Sequence, residues 1–152
     1  MDARYFEDLV IGETVVSPGR TITEADVVAF SGLSGDFSPL HTDEEAMKNS
    51  IYKTRIAHGQ LALAIQGGLG QRALQQPVHT IALLGIKEWN FRKPIFFLDT
   101  IRVRITIDEK KETSRPDRGI VYWRREILNQ RDEVVQEGFT VTMVKRRPQD
   151  AA

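Results

Sequence analysis

The 152-residue chain has no cysteine. That excludes disulfides, thiolate nucleophiles and cysteine-based metal sites. It also has no charge excess, since 21 basic residues balance 21 acidic ones. A balanced chain carries no electrostatic footprint for nucleic acid or for an anionic membrane surface. Long apolar runs are missing as well: the longest, "IALLGI", is far too short to cross a bilayer. The opening "MDARYFEDLVIG" is acidic and lacks the apolar core of a secretory leader, so a cytoplasmic protein is expected. With no repeat, low-complexity tract or linker in view, one domain over residues 1–152 is expected, long enough to bury a substantial core.

What is present changes character midway. In the first half, "ETVVSPGRTI" (13–22) reads as a short strand running through a Pro-Gly turn. Thr23, with Asp26 three residues on, resembles a capping box opening a helix over "EADVVAFSGLSG". Thr42 and Glu45 repeat that arrangement and predict a short helix immediately after His41. The segment 57–76 places Leu61, Ala62, Ile65, Leu69 and Ala73 at spacings of three and four, and Leu63 and Ala64 widen the stripe. A helix apolar on most sides is expected there, buried, and ended by Pro77.

Beyond it the period becomes two. Ile101, Val103, Ile105 and Ile107 alternate with Arg102, Arg104, Thr106 and Asp108, the pattern of a half-buried strand. "IVYWRREIL" and "VVQEGFTVTMV" follow as strands, and "TIALLGIKEWNFRKPIFF" precedes as one long strand or two shorter ones. One buried helix and about five antiparallel strands make an α+β fold, with the sheet wrapped around the helix.

Chemistry concentrates in "GDFSPLHTDEEA", residues 35–46. A turn uses Gly35, Asp36 and Pro39 but has no need of His41. Together with "IAHGQLALA" downstream, this stretch resembles the hydratase-2 motif of the MaoC-like dehydratases, the R-specific enoyl-CoA hydratases of hot-dog fold. Their pattern is Gly-Asp-x-Asn-Pro-x-His followed by Ala-His-Gly at the start of a central helix. The resemblance continues through "WNFRKPIFFLDTIRV" and "GIVYWRREILNQRDEVVQEG" and so covers nearly the whole chain. Three positions depart from it: Ser38 stands where the family has Asn, Ala64 where some members have a helix Ser, and Leu98 where a Gly often precedes the strand Asp.

The resemblance implies reversible hydration of a trans-2-enoyl-CoA to an (R)-3-hydroxyacyl-CoA, with Asp36, His41 and Gly59 as the catalytic set. Ser38, Pro39 and His58 would surround the substrate, His58 anchoring the loop before Gly59. The residue types suit that reaction on their own terms. Water must lose a proton as it attacks the β-carbon, the α-carbon must gain one, and the thioester oxygen must be stabilised. Imidazole, with an ordinary pKa near 6.5, is the natural proton carrier at neutral pH. A glycine at a helix start offers a bare backbone N–H to a developing oxyanion. No cofactor and no metal is needed, and the three histidines fall at no metal-ligand spacing.

Lys53, Arg55, Arg92 and Lys93 are cations that could reach a coenzyme A phosphate, but each reads first as a solvated surface charge. A homodimer is expected too, because a lone sheet of this kind leaves strand edges open. Two other readings use the same residues: dehydration of a 3-hydroxyacyl-ACP or of a branched or dicarboxylic acyl-CoA, or a non-catalytic acyl-binding subunit. A thioesterase is disfavoured, since 59–76 contains no Asp or Glu.

Overall fold

A computed structural model describes residues 3–148. After a single 3-10 turn at Phe6–Asp8, strands β1 (Thr14–Val16) and β2 (Arg20–Thr21) flank the Pro18-Gly19 turn. Helix α1 (Glu24–Ser34) begins where its cap sequence predicts. The Thr23 hydroxyl accepts from the Asp26 N–H, and the Asp26 carboxylate accepts from the Thr23 N–H. Thr23→Ala is therefore expected to cost about 1 kcal/mol. Thermal unfolding checks this, with a fall of roughly 2–4 °C expected for a chain of this size.

Two single-turn helices follow, α2 (Pro39–Thr42) and α3 (Glu44–Met47), and then the long helix α4 (Gly59–Ala73). The remaining strands are β3 (Thr80–Phe91), β4 (Thr100–Glu112), β5 (Arg118–Leu128) and β6 (Val134–Lys145). All strands pair antiparallel in one six-stranded sheet of order β1-β4-β5-β6-β3, with β2 beside β4 at the β1 edge. The sheet curls around α4, the hot-dog arrangement.

The core lies between them. Leu61, Ala62, Ile65 and Leu69 of α4 meet Ile101, Val103, Ile105 and Ile107 of β4 in one buried cluster with Val121, Trp123 and Ile127 of β5. The alternation of β4 thus sends its isoleucines and valine inward and its arginines outward.

Three details differ from the sequence reading. His41 lies inside the turn of α2, and Asp43, not Thr42, caps the next helix. Proline at the first helical position costs no hydrogen bond, so Pro39 lets a helix start earlier than the Thr-x-x-Glu pattern indicates. Helix α4 is buried along one stripe only, for Ala64, Gly67 and Gly68 are exposed. Small residues raise an apolar count without requiring burial. It also stops at Ala73, with Leu74 already extended, four residues before Pro77.

Strand β3 is the sheet edge that follows the helix. It exposes Ile81, Leu83, Leu84 and Ile86. No helix among the described residues is long and apolar enough to cross a membrane.

Candidate active site

The site grows out of the end of α1. Gly35 takes the left-handed conformation (φ 79°) that favours glycine, and its N–H donates to the Ser31 carbonyl at 2.9 Å. The chain then doubles back through local bonds. The Ser38 N–H donates to Asp36 Oδ1 at 3.0 Å, and the Leu40 N–H to Ser38 Oγ at 3.4 Å. Ser38 and Pro39 thus cap and start α2, a role any short polar residue can fill at the first of these positions. Replacement of Asn by Ser there preserves the turn.

One turn of helix brings His41 inward. Its Nδ1 lies 2.7 Å from the Ile56 carbonyl. A carbonyl can only accept, so Nδ1 carries the hydrogen and Nε2 keeps its lone pair in the neutral ring. That Nε2 is 3.8 Å from Oδ2 of Asp36, whose side chain is 49% exposed against 8% for His41. The two atoms are too far apart to bond each other directly and near enough to hold the same water.

His58 closes the site from behind. Its ring stacks on that of His41 with centroids 3.7 Å apart and planes 26° from parallel, and Phe30 meets it edge-on. Its Nε2 donates to the Asp36 backbone carbonyl at 3.1 Å, tying the loop down. The other nitrogen, Nδ1, is buried with no partner among the described residues.

Helix α4 starts at the next residue. The N–H of Gly59 has no acceptor among the described residues. Its carbonyl accepts from Gln136 Nε2 on β6 at 2.9 Å, and Gln136 Oε1 accepts from Trp89 Nε1 at 3.1 Å. A Cβ at Gly59 would meet the Phe91 ring at 2.8 Å, so glycine is what the space admits. His41 and Gly59 both line a cavity of about 350 Å³, walled by Tyr52, Ile56, Phe91, Ile95 and Gln136 and edged by Arg92 and Lys93.

The structure therefore brings together Asp36, His41, His58 and Gly59. Ser38 and Pro39 build the turn rather than the wall. Of the four cations weighed for a phosphate, Arg92 and Lys93 edge the cavity, each already paired, with Glu137 and Glu133 at 2.7 Å. The two carboxylate oxygens that Glu133 offers are so well served, by Lys93, Asn129 and Arg131, that its pKa falls to about 2. Arg55 is committed to Glu24 and Glu44 at 2.8 and 3.0 Å and stacks over Phe97.

Two features escaped the sequence. Gln136 is an inward polar residue on a strand, and only the position of Gly59 gives it meaning. The other is the histidine pair: the spacing of His41 and His58 gave no metal signature, yet Asp36, His41 and His58 each offer a ligand atom within 4.8 Å of the others. The stacking sets the two rings 3.7 Å apart between centroids, and His58 Nε2 is engaged as a donor. The arrangement suits proton transfer.

Comparison with known proteins places this geometry in context. A family model described as "MaoC like domain" matches residues 7–124. An (R)-specific enoyl-CoA hydratase of Rhodospirillum rubrum is 33% identical over 144 residues, covering 94% of this chain and 93% of that protein. Protein MaoC of Klebsiella aerogenes is 36% identical over 123 residues, 79% of this chain, which spans only 36% of that longer protein. Among solved structures, a monoamine oxidase regulatory protein from Archaeoglobus fulgius superposes with a TM-score of 0.90 at 36% identity, covering 96% of this chain and 97% of that one.

Proposed function

The chain belongs to the MaoC-like domain family, and from that premise we propose that it is a hydro-lyase that reversibly hydrates a trans-2-enoyl-CoA to an (R)-3-hydroxyacyl-CoA. The observation that carries the reading is the pair Asp36 Oδ2 and His41 Nε2, 3.8 Å apart, beside the free N–H of Gly59.

Water between Oδ2 and Nε2 is polarised from both sides. As its oxygen bonds to the β-carbon, the pair takes its proton. The thioester oxygen gains charge and is met by the Gly59 N–H, whose position at the helix start favours negative charge. A proton delivered to the α-carbon completes the addition, and the reverse sequence is dehydration. Ile56 holds the His41 tautomer, and His58 holds both the ring and the Asp36 loop. Gln136 fixes Gly59 through its carbonyl. The reaction calls for no metal and no organic cofactor, so coenzyme A enters as part of the substrate.

Assembly as a homodimer in the cytoplasm accompanies this reading. The apolar edge strand β3 supports the dimer, since unpaired edges of that kind pair with another copy or aggregate.

The test is to follow loss of conjugated enoyl-thioester absorbance on adding the protein to crotonyl-CoA and to longer enoyl-CoAs, with chiral analysis of the product. An (R)-3-hydroxyacyl-CoA is expected. Absence of hydration on every CoA ester tried, with the protein folded, would remove the proposal.

A further inference from the structure

Away from the proposed catalytic pair, one partly buried arginine has no carboxylate partner among the described residues. Among the described residues, only Arg72, Arg115 and Arg125 of the arginines pair with no carboxylate, and the first two are exposed on the surface. Arg125 instead runs from β5 under α4. Its Nε donates to Thr140 Oγ1 at 2.8 Å and its Nη1 to Gln66 Oε1 at 3.2 Å. Both partners are neutral, and a guanidinium has five N–H donors to place. Burial lowers its pKa to about 10, which leaves it charged at neutral pH. A partly buried cation served only by neutral groups is costly, and an anion beside it would offset that cost.

Space for such an anion exists. A cavity of about 200 Å³ adjoins the guanidinium, walled by Leu74, Val78, Leu83, Ile105 and Trp123 and floored by Thr140. Arg125 is the one charged residue among its described walls. A single planar fork matches a carboxylate, whereas a phosphate dianion would bring a second charge with nothing to receive it. The apolar walls call for hydrocarbon attached to that carboxylate.

The cavity also lies in line with the active site. Gln66 is seven residues along α4 from Gly59, about 10 Å at the helical rise. On one face of β6, Gln136 bonds Gly59, Gly138 lies beneath Trp89, and Thr140 and Thr142 line the cavity.

We propose that the cavity under α4 is a carboxylate-binding site in which Arg125 receives a carboxylate borne on a short hydrocarbon. That carboxylate is either a free small acid or the far end of the acyl chain turned over at Asp36 and His41. The second source rests on the hydratase reading; the first does not.

Calorimetric titration of the full chain with hexanedioate and butanoate tests the site directly. Binding is expected in the parent protein and about 10-fold or more weaker in Arg125→Met, the loss of a charge-assisted hydrogen bond. Gly70→Ala supplies a second variant that keeps the charge. Its Cβ would fall 2.2 Å from Arg125 Nη1 and force the guanidinium aside, so binding should weaken while the helix gains propensity.

A kinetic arm separates the sources. It compares medium-chain enoyl-CoAs with and without a terminal carboxyl group. If the acyl end is the ligand, the preference for the carboxylated chain falls about 10-fold in Arg125→Met while crotonyl-CoA turnover is unchanged. If only free acids bind, calorimetry responds to the variants and the preference does not. Failure of either carboxylate to bind, with no preference for the carboxylated chain, overturns the proposal even when crotonyl-CoA is hydrated. Binding without hydration of any ester sustains this site and removes the hydratase reading instead. Sedimentation of Arg125→Met closes the last route: a dimer that dissociates while carboxylate binding is absent would show that Arg125 serves a second copy of the chain, which also overturns the proposal.

Discussion

Asp36→Asn and His41→Asn are each expected to slow hydration of crotonyl-CoA by roughly 10²- to 10⁴-fold, the range for a positioned acid or base. Both substitutions are chosen to spare the fold. The amide in Asp36→Asn keeps an oxygen for the Ser38 N–H, which now meets Asp36 Oδ1 at 3.0 Å. In His41→Asn the side-chain amide can donate to the Ile56 carbonyl as Nδ1 does at 2.7 Å, while nothing replaces Nε2. His41→Ala is the harsher variant, since it strands that carbonyl inside the fold at a cost of about 1–3 kcal/mol. If the two groups share one water, the double variant should lose little more than the worse single one, as residues that act as a unit do. Initial rates and thermal unfolding measured on the same preparations decide the matter. Rates within a few-fold of the parent would reduce the motif to a turn.

Ile101→Ala is expected to lower stability by about 2–5 kcal/mol, the range for emptying an isoleucine site in a packed core. Ile101 is fully buried on β4 and belongs to the cluster beneath α4. At roughly 2–4 °C per kcal/mol the melting temperature should fall by about 4–20 °C. Arg102→Ala, one residue on, is the control. Its side chain points outward to an ion pair with Asp132, and such surface pairs contribute about 0–1 kcal/mol. A large loss at 102 or none at 101 would mean that the inward and outward faces of β4 have been exchanged.

That alternation is why β4 is legible from the residues alone: one residue in two must face the core, and the apolar ones say which. Helix α1 is legible for a local reason too, because Thr23 and Asp26 bond each other's backbone within a single turn. The proposed catalytic pair can be read because "GDFSPLHTDEEA" with "IAHGQLALA" resembles a known motif; the five-residue spacing of Asp36 and His41 alone would read as a turn.

What cannot be read that way depends on distant segments. His58 stacks on His41 only because α4 begins where it does, and Gln136 reaches Gly59 from a strand 77 positions later. Arg125 in its strand is indistinguishable from Arg124 beside it, yet the latter pairs with Asp108 outside and the former turns in beneath Gly70. The exposure of Ala64, Gly67 and Gly68 is hidden because small residues are equally at home on either side of a helix.

The strand order has a consequence for the growing chain. Strand β3 ends at Phe91, but its one neighbour in the sheet, β6, spans Val134–Lys145. On a ribosome adding about 5–20 residues per second, roughly 3–10 s pass between the two. Throughout that interval the β3 backbone has no neighbouring strand to bond, and until Glu112 ends β4 the apolar stripe of α4 also lacks the strand it packs on. Synthesis thus passes through a stage at which an apolar strand is finished and the strand it pairs with is not, and that interval is where a chaperone would be needed.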